Sequence, residues 1–388
     1  MEVIAEIKSF KAKKLEIEDA ISKNDLKAKL CREFGIEQEV TILKKEMEII
    51  DEKNFDKQIQ KIEGIDKKDI GKCIDKYVLD YLWSRQLILY GQENFKKIRN
   101  SKIAIVGAGA LGNELAKNLA FSGIGKLTII DYDEIENSNL SKSIFFEKGD
   151  IGKPKSQVLA KKIKKVIYAT EIDYINKMVE EINPLTFLDY DAIACCVDNY
   201  ETRFYLSEIS IKFGIPLFDA GVIYKSYLDK SFGSNGIRIQ SIISSEDACI
   251  GCTVSPKQLN NLKESNKAVL HCDDPKMPSN ISLMSMAASF QAEQILKYLS
   301  NIGNPIKFLH IDTDHNIFRQ VDLKKTKNCF VCDHLKKIPI IKIKSMSGLE
   351  DKYGNFEIDY QLNNRYLIRT YNEQTSKIDK EILIEVSK

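Results

Sequence analysis

The amino-acid sequence predicts an α/β fold with a mainly parallel sheet and helices on both faces. Between residues 100 and 330, short apolar runs alternate with longer helical patterns. A glycine-rich turn joins the first apolar run to the first helical pattern, as at the start of a βαβ unit. Strands that are separated by helices pair in parallel, so this alternation indicates a layered α/β domain.

The hydrophobic periodicity predicts the individual elements. The first strand is expected at Lys102–Val106, a helix over Ala110–Phe121 and a second strand at Lys126–Ile130. The later elements are a Lys-rich helix over 153–167, a strand at 191–197, a helix over 200–213, a strand near 216–218, extended segments over 222–244 that break the alternation, a loop over 253–279, a helix over 281–300, and strands near 306–311 and 317–321.

Three domains are expected. Residues 1–80 are dense in charge and contain no proline, and apolar residues from Leu15 onward recur at helical spacing, which favours short amphipathic helices with a strand at 39–43. This domain is either a partner-binding or peptide-binding module or a solvated helical extension. Residues 81–335 would form the α/β domain. Residues 336–388 contain four short stretches of alternating polarity and predict a small β-rich C-terminal appendage.

Composition excludes several classes of protein. With 43% hydrophobic and 29% charged residues, the chain of 388 residues has an ordinary globular composition. Its 58 basic and 56 acidic side chains give a net charge of +2, so no global field favours nucleic acid or a membrane surface. We expect no membrane helix and no signal peptide, because apolar runs are short and the N-terminus is charged. The nine cysteines then indicate a reducing, cytoplasmic setting.

Gly107, Gly109 and Gly112 form a GxGxxG turn directly after the first strand. Glycines at this spacing let the backbone approach a phosphate or ribose, and the N-terminus of the following helix offers free N–H groups to an anion. Asp131 ends the next strand, where a carboxylate can accept hydrogen bonds from ribose hydroxyls. The pattern predicts a nucleotide site, and the alternative is a tight packing turn that binds nothing.

Basic residues elsewhere favour a triphosphate over a dinucleotide. Lys142 and Lys155 follow the expected ribose-binding acid, and Arg85 precedes the first strand. Cations stabilise the charge on a transferred phosphoryl or nucleotidyl group. Isolated surface lysines and arginines are, however, more often simply solvated.

Together these residues resemble the ThiF/MoeB/HesA family of ubiquitin-activating-enzyme-like adenylyltransferases, whose fold is Rossmann-like. The resemblance spans residues 82–335 and depends on a combination of motifs. They are Trp83-Ser84-Arg85-Gln86 with Gly91, the glycine turn at 107–112, Ser122-Gly123-Ile124-Gly125, the run from Asp131 to Leu140, Gly152-Lys153-Pro154-Lys155, Cys196-Val197-Asp198-Asn199 with Arg203, and two cysteine pairs.

The resemblance implies an enzyme that uses ATP and Mg²⁺ to join AMP to the C-terminal carboxylate of a small protein or peptide. It implies that Asp131 holds the ribose, and that Arg85 and Lys155 hold phosphates. Asp198 would organise Mg²⁺ and the reacting phosphate, or alternatively cap the following helix. The implied nucleotide-binding residues are Gly107, Gly109, Gly112, Asp131, Asp133, Asn139, Lys142, Lys155 and Asp198.

The implied substrate is a ubiquitin-like or sulfur-carrier protein that ends in Gly-Gly. The implied assembly is a homodimer, in which Arg85 could serve the site of the partner subunit. The alternative is the MccB-like branch of the family, which adenylylates short ribosomal peptides and carries an N-terminal peptide-clamp domain similar in length to residues 1–80. The family commonly has Arg-Gln where this chain has Lys142-Ser143, and lysine lacks the planar fork of arginine. This departure is compatible with weaker or altered catalysis, or with a divergent subgroup of the family.

Cys249 and Cys252 form one Cys-x-x-Cys pair, and Cys329 and Cys332 form another. Each pair suits two corners of a tetrahedral Zn²⁺ site, and four thiolates make a closed, structural site. The family often has zinc at these places. An iron–sulfur cluster or a redox pair is the alternative.

Cys272 lies on an expected loop before the helix at 281–300. Some family members carry in this region a cysteine that accepts the activated acyl group as a thioester or persulfide, for which a thiolate is needed. His271 favours a thiolate, whereas Asp273 and Asp274 oppose it. Cys272 is therefore either a nucleophile or a bystander in an enzyme that stops at the acyl-adenylate.

Two function classes outside adenylyl transfer remain open. An NAD-dependent oxidoreductase would account for the glycine turn, but it leaves the cysteine pairs unexplained. A non-catalytic scaffold or regulatory subunit of the same family would account for Lys142 and Ser143.

Overall fold

The computed structural model describes residues 2–5, 13–16, 82–167, 169–223, 235–254, 280–372 and 377–387. The chain divides into two compact units, Met1–Gln92 and Glu93–Lys388. In the smaller unit, β1 (Glu2–Ala5) and β2 (Lys13–Glu16) pair in antiparallel fashion. Helix α1 (Ser84–Tyr90) belongs to the same unit and is followed by Gly91 as its C-cap.

The strand β2 corrects one expectation from the sequence. Leu15 lies in β2 opposite Val3, and not in a helix as its spacing suggested. Backbone pairing with β1 decides the matter, because a single apolar residue is compatible with either period. The rest of the helical interpretation of residues 1–80, and the strand at 39–43, fall outside the described residues.

The larger unit contains an eight-stranded mixed sheet with the spatial order β10-β9-β8-β7-β6-β3-β4-β5. Its strands are β3 (Lys102–Val106), β4 (Lys126–Ile130), β5 (Glu171–Ile175), β6 (Ala192–Cys195), β7 (Leu217–Ile223), β8 (Gly236–Ile242), β9 (Phe308–Asp312) and β10 (Ile317–Val321). The helices are α2 (Gln92–Asn100), α3 (Ala110–Phe121), α4 (Lys155–Val166), α5 (Tyr200–Phe213) and α6 (Ile281–Ser300).

Five neighbouring strands, β5, β4, β3, β6 and β7, are parallel to one another. Strands β8, β9 and β10 extend the sheet beyond β7 in antiparallel fashion. The predicted α/β class with a mainly parallel sheet is therefore confirmed. All residues of β3 after Lys102 are buried, as expected for a strand covered on both faces. On one face, Ala104 and Val106 share a core with Leu206 and Ile209 of α5. Helix α6 packs on α3 and across β7 and β8.

The sheet contains one strand that the sequence did not predict and one segment whose pairing the structure now defines. The sequence did not predict β5, because only Ile172 of its five residues is buried and the strand lies at the edge of the sheet. Residues 222–244 break the alternation as expected. They contain the end of β7 and all of β8, which pair with Leu217 opposite Ile242. None of the helices in the described ranges is both long enough and apolar enough to cross a bilayer.

A second sheet follows at the C-terminus, with the order β11-β14-β13-β12, and confirms the β-rich appendage. Its strands are β11 (Ile340–Ile343), β12 (Phe356–Leu362), β13 (Arg365–Tyr371) and β14 (Ile378–Val386), and a short helix, α7 (Leu349–Tyr353), was not predicted.

The C-terminal sheet is attached to the main core. Leu367 and Leu383 belong to the same apolar cluster as the strands of the large sheet. The Ile338 N–H donates to the Lys212 carbonyl at 2.8 Å, which joins the appendage to the end of α5. These contacts make the appendage part of the larger unit.

A buried carboxylate braces the connection between β4 and α4. Asp150 accepts hydrogen bonds from the Lys162 ammonium and, at 3.2 Å, from the Glu147 N–H. Burial by itself raises the pKa of Asp150, but these hydrogen bonds outweigh it and hold the pKa below its ordinary value. The ionised carboxylate therefore stabilises the fold.

Asp150→Asn removes this charge and keeps the shape of the side chain. We expect it to lower the free energy of unfolding by about 1–2 kcal/mol at neutral pH. Because the folded pKa is lowered, the stabilisation is present above the unfolded value of about 3.9 and is lost as the pH falls through the folded value. Urea unfolding of both proteins at neutral and acidic pH measures the difference. Glu147→Gln, which removes the exposed partner of Lys162, should cost less. A loss that does not change with pH would contradict this account.

Candidate nucleotide site and cysteine cluster

The strand order creates a crevice at the carboxyl edge of the parallel strands. β3 and β6 are neighbours, but the chain continues from β3 to β4 on one side and from β6 to β7 on the other. Open α/β sheets bind ligands at such a point, because the two connections diverge. The glycine turn after β3 and residues 196–198 after β6 both lie here.

Two of the three glycines are required for packing. Gly107 has a φ of +99°, and a Cβ there would lie 2.7 Å from the Cys196 carbonyl oxygen. A Cβ on Gly112 would lie 1.9 Å from the Gly107 carbonyl oxygen. At Gly109, which caps α3, a Cβ would meet nothing within 4 Å. Open space therefore borders Gly109 at the N-terminus of α3, whose first N–H groups have no intrahelical acceptor.

Asp131 ties the glycine turn to the adjacent strand. One carboxylate oxygen accepts the Ala108 N–H at 2.6 Å, and the other accepts the Asp133 N–H at 2.8 Å. Burial raises the pKa of Asp131 above its ordinary value, although these two hydrogen bonds act in the opposite direction. Each oxygen retains a second acceptor position, so the carboxylate can still accept a hydroxyl.

Asp133 holds Lys155 at the same edge of the sheet. The Lys155 Nζ lies 2.7 Å from the Asp133 Oδ2, and the Lys155 side chain is 12% exposed against 46% for Asp133. Lys155 is the first residue of α4, where the helix dipole disfavours a cation. Helix stability does not explain this placement, and an ammonium in this position is suited to an anion in the crevice.

Asp198 lies exposed in the loop between β6 and α5. The next residue, Asn199, caps α5, since its side chain accepts the Thr202 N–H at 2.8 Å. The capping function that was the alternative for Asp198 is thus performed by its neighbour.

Tyr132 lies among the charged groups of the site. The net effect of these groups is to raise the pKa of Tyr132. The charge of Asp133 contributes most, followed by burial, Asp131 and Asp198, and the charge of Lys155 partly offsets them. Three carboxylates and one ammonium therefore act on a single exposed phenol. Tyr132 was not predicted from the sequence, where its only signal is its position between two aspartates.

Arg203 supports the loop that carries Asp198. Its buried guanidinium pairs with Asp219 and donates to the carbonyl groups of Val197 and, at 3.2 Å, Ala220. Burial by itself lowers the pKa of Arg203, but Asp219 outweighs it and raises the pKa. The charged guanidinium thus joins the end of β6 to β7, one residue before Asp198.

Asp219 is fully buried and pairs with a second arginine. The Arg238 guanidinium lies 2.7 Å from Asp219 and 5.9 Å from the centre of the Tyr200 ring. Arg203 belonged to a recognised motif, whereas Asp219 and Arg238 carried no sequence signal. The pairing of β7 with β8 brings them together.

The remaining candidate residues, Asn139, Lys142, Arg85 and Cys272, are not among the groups that the described part of the chain brings together around Asp131. The Asn139 Oδ1 accepts the Glu136 N–H at 2.9 Å and so closes a short 3-10 turn. In the part of the chain that the structure describes, the Lys142 ammonium pairs with no carboxylate. Arg85 is exposed on α1 in the smaller unit, and Cys272 lies outside the described residues.

The four cysteines of the two Cys-x-x-Cys pairs form one cluster, in which all four sulfur atoms lie within 4.8 Å of one another. The Cys249 sulfur lies 3.7 Å from that of Cys252 and 3.6 Å from that of Cys329, and Cys252 and Cys332 are 3.5 Å apart. Zinc–sulfur bonds of about 2.3 Å in a tetrahedron place the sulfur atoms about 3.8 Å apart. This donor set fits a zinc ion.

The cluster joins segments that are distant in the sequence. One pair follows β8 and the other follows β10. Gly251 lies within the first cysteine pair and Val331 within the second. A Cβ on Gly251 would lie 2.6 Å from a methyl carbon of Val331, so the two segments are in tight contact. Ile250 and Val331 belong to the main apolar core, so a metal ion bound by the four thiols would tie both segments to that core.

The sequence matches the ThiF family over residues 83–331, more than half of the chain. The chain belongs to the ThiF family. Caenorhabditis briggsae "adenylyltransferase and sulfurtransferase MOCS3" is 32% identical over 171 residues, 42% of this chain and 39% of that protein. The Caenorhabditis elegans "NEDD8-activating enzyme E1 catalytic subunit" is 30% identical over 175 residues, 44% and 41% of the two chains. This ThiF-family chain thus spans less than half the length of these two relatives.

Solved structures support the fold of this ThiF-family chain. Escherichia coli MccB with ATP superposes with a TM-score of 0.52 at 19% identity, over 71% of this chain and 84% of that one. MccB with MccA-N7isoASN gives a TM-score of 0.53 at 20% identity, over 69% and 82%. At this identity the similarity concerns the fold, and it agrees with the Rossmann-like prediction.

Alanine at two of the glycines should separate ligand binding from folding. Gly112→Ala should lower the free energy of unfolding by about 2 kcal/mol or more, because its Cβ meets a backbone oxygen. Gly109→Ala should change it by less than about 0.5 kcal/mol but weaken ATP binding, because the methyl group enters the open space. Thermal unfolding and calorimetric titration with ATP measure the two effects. Equal losses of stability in both variants would contradict this assignment.

Removal of a cluster thiol should destabilise the fold rather than one chemical step. We expect Cys329→Ser to lose bound zinc and about 3 kcal/mol or more of unfolding free energy, because binding of a structural metal contributes directly to folding. Metal analysis by mass spectrometry, together with chemical unfolding, tests this. Cys196→Ala removes a thiol outside the cluster and should retain the metal. Wild-type protein that is purified without zinc and unfolds identically after chelation would refute the expectation.

Proposed function

We propose that this protein is an ATP-dependent adenylyltransferase that activates the C-terminal carboxylate of a small ubiquitin-like or sulfur-carrier protein. The observation that carries the proposal is the meeting of four features at one edge of the sheet. These features are the open turn at Gly109, Asp131, the Asp133–Lys155 ion pair and Asp198. The activities named for the two relatives, an adenylyltransferase and an E1 subunit, support it.

The chemistry requires charge stabilisation rather than a base. The substrate carboxylate is ionised at neutral pH, so it can attack the α-phosphorus directly. A bond forms between a carboxylate oxygen and phosphorus, the bond to the pyrophosphate oxygen breaks, and pyrophosphate leaves with the electron pair. The N-terminus of α3 and Lys155 would stabilise phosphate charge, while Asp131 would orient the ribose.

Asp198 is the carboxylate that we assign to Mg²⁺. It is exposed at the crevice, and the loop that carries it is fixed by Arg203 through the Val197 carbonyl. Oxygen ligands of this kind suit Mg²⁺. When bound, the ion would neutralise phosphate charge.

The proposal also covers residues outside the described site. The Cys272 thiolate would attack the carbonyl carbon of the acyl-adenylate and form a thioester, while the bond to the phosphate oxygen breaks and AMP leaves. Arg85 would reach the site of the partner subunit in a homodimer, and residues 1–80 would bind the protein or peptide substrate. The cysteine cluster would hold zinc, and a reducing compartment such as the cytoplasm would keep its thiols reduced.

ATP–pyrophosphate exchange by the purified chain tests the proposal. We expect exchange that depends on a carrier protein with a Gly-Gly terminus. Exchange with short peptides alone would overturn the carrier assignment in favour of the peptide-adenylating branch. Failure with every substrate, in protein that is folded and loaded with zinc, would contradict adenylyl transfer.

Lys155→Ala should lower kcat/KM for exchange by about a hundredfold, the effect typical of losing one donor to developing charge. Lys161→Ala removes an exposed lysine from the same helix and should leave the rate unchanged.

A thiol-labile mass adduct that Cys272→Ala abolishes would support the thioester step, and exchange without any adduct would exclude it.

A further inference from the structure

Asn113 is a fully buried amide four residues after Gly109 in α3. A buried amide without hydrogen bonds would be costly, so its partners explain why it is tolerated. The Asn113 Nδ2 donates to the Ala108 carbonyl at 2.8 Å and to the Gly109 carbonyl at 3.0 Å. The Oδ1 accepts the Phe145 N–H at 3.3 Å. Both amide hydrogens and the oxygen are therefore used.

The two carbonyl contacts determine where the glycine turn presents its N–H groups. In a trans peptide, the C=O and N–H bonds point in opposite directions. The Ala108 carbonyl shares a peptide with the Gly109 N–H, and the Gly109 carbonyl shares one with the Ala110 N–H. Asn113 holds both carbonyls on its own side of the turn, and its backbone N–H also donates to the Gly109 carbonyl at 2.9 Å, so both N–H groups point away from Asn113. Gly109 borders open space, since a Cβ there would meet nothing within 4 Å.

The third contact reaches the segment that carries Lys142. The Ser143 N–H donates to the Asn139 carbonyl at 3.0 Å, and the Phe146 N–H donates to the Ser143 carbonyl at 3.1 Å. These hydrogen bonds make the segment a compact turn, which is joined to α3 through the Phe145 N–H.

The side chain of Ser143 does not anchor this turn. It is 3% exposed, and its hydroxyl has no hydrogen-bond partner among the described residues. The anchor that the structure shows is Asn113. One buried side chain thus links the glycine turn to the segment that presents Lys142.

We propose that Asn113 is a positioning residue that aims the N–H groups of Gly109 and Ala110 at the phosphates of a nucleotide and fixes the segment that carries Lys142. The inference deepens the proposed function and rests on it. It concerns a side chain that touches no substrate and acts only through backbone groups and Lys142.

Affinity for a non-hydrolysable ATP analogue and for adenosine, measured by calorimetric titration, tests the proposal. Asn113→Leu has a similar volume and no hydrogen-bonding group. We expect it to weaken binding of the ATP analogue about tenfold, the effect of losing a net hydrogen bond or two, and to leave adenosine binding unchanged. Asn113→Asp keeps the acceptor for Phe145 but removes the donors, and it should show the same selective loss.

Two further comparisons separate positioning from simple destabilisation. Ser122→Ala removes a side-chain hydrogen bond of 2.7 Å at the other end of α3 and should leave both affinities unchanged. In a double-mutant cycle, Asn113→Leu should cost less in a Lys142→Ala background, because the two residues act in part through one contact.

Equal losses of affinity for ATP analogue and adenosine, or strictly additive effects with Lys142→Ala, would overturn the inference. If the wild type exchanges pyrophosphate and Asn113→Leu binds the ATP analogue as tightly as the wild type, the positioning role is wrong and the proposed function stands. If the wild type binds no ATP, both fail.

Discussion

The close contact between the glycine turn and the end of β6 is the constraint on which the rest of the site depends. Gly107 and Gly112 have no room for a Cβ, because the Cys196 carbonyl and the turn itself occupy that space. The contact lies directly beyond the paired ends of β3 and β6, where Val106 is opposite Cys195. Their connections then diverge and leave the crevice open.

Around this contact, buried polar residues hold the backbone and exposed residues are left for chemistry. Asp131 and Asn113 form hydrogen bonds with the backbone of the glycine turn, and Arg203 donates to the backbone of the loop after β6. Lys155 is held by its ion pair with Asp133, and Asp198 lies exposed in the loop after β6. A ligand site at this crevice would be preorganised, because its candidate groups are attached to backbone that is held by hydrogen bonds.

The cysteine cluster and the C-terminal sheet extend the same core away from the crevice. Ile250 and Val331, beside the thiols, and Leu367, in the C-terminal sheet, join one apolar cluster with α5. The helix that begins next to Asp198 is therefore supported along its length by both additions.

The sequence alone determined the βαβ start of the domain, the glycine turn with Asp131, the cysteine set and the β-rich C-terminus. Each depends on local patterns: periodicity, glycine spacing or paired thiols. It did not determine β5, whose edge position removes the apolar signal, or Tyr132, Asn113 and the Asp219–Arg238 pair. Only the tertiary structure decided these, because strand pairing and helix packing bring together residues that lie far apart in the chain, and no local pattern encodes such a meeting.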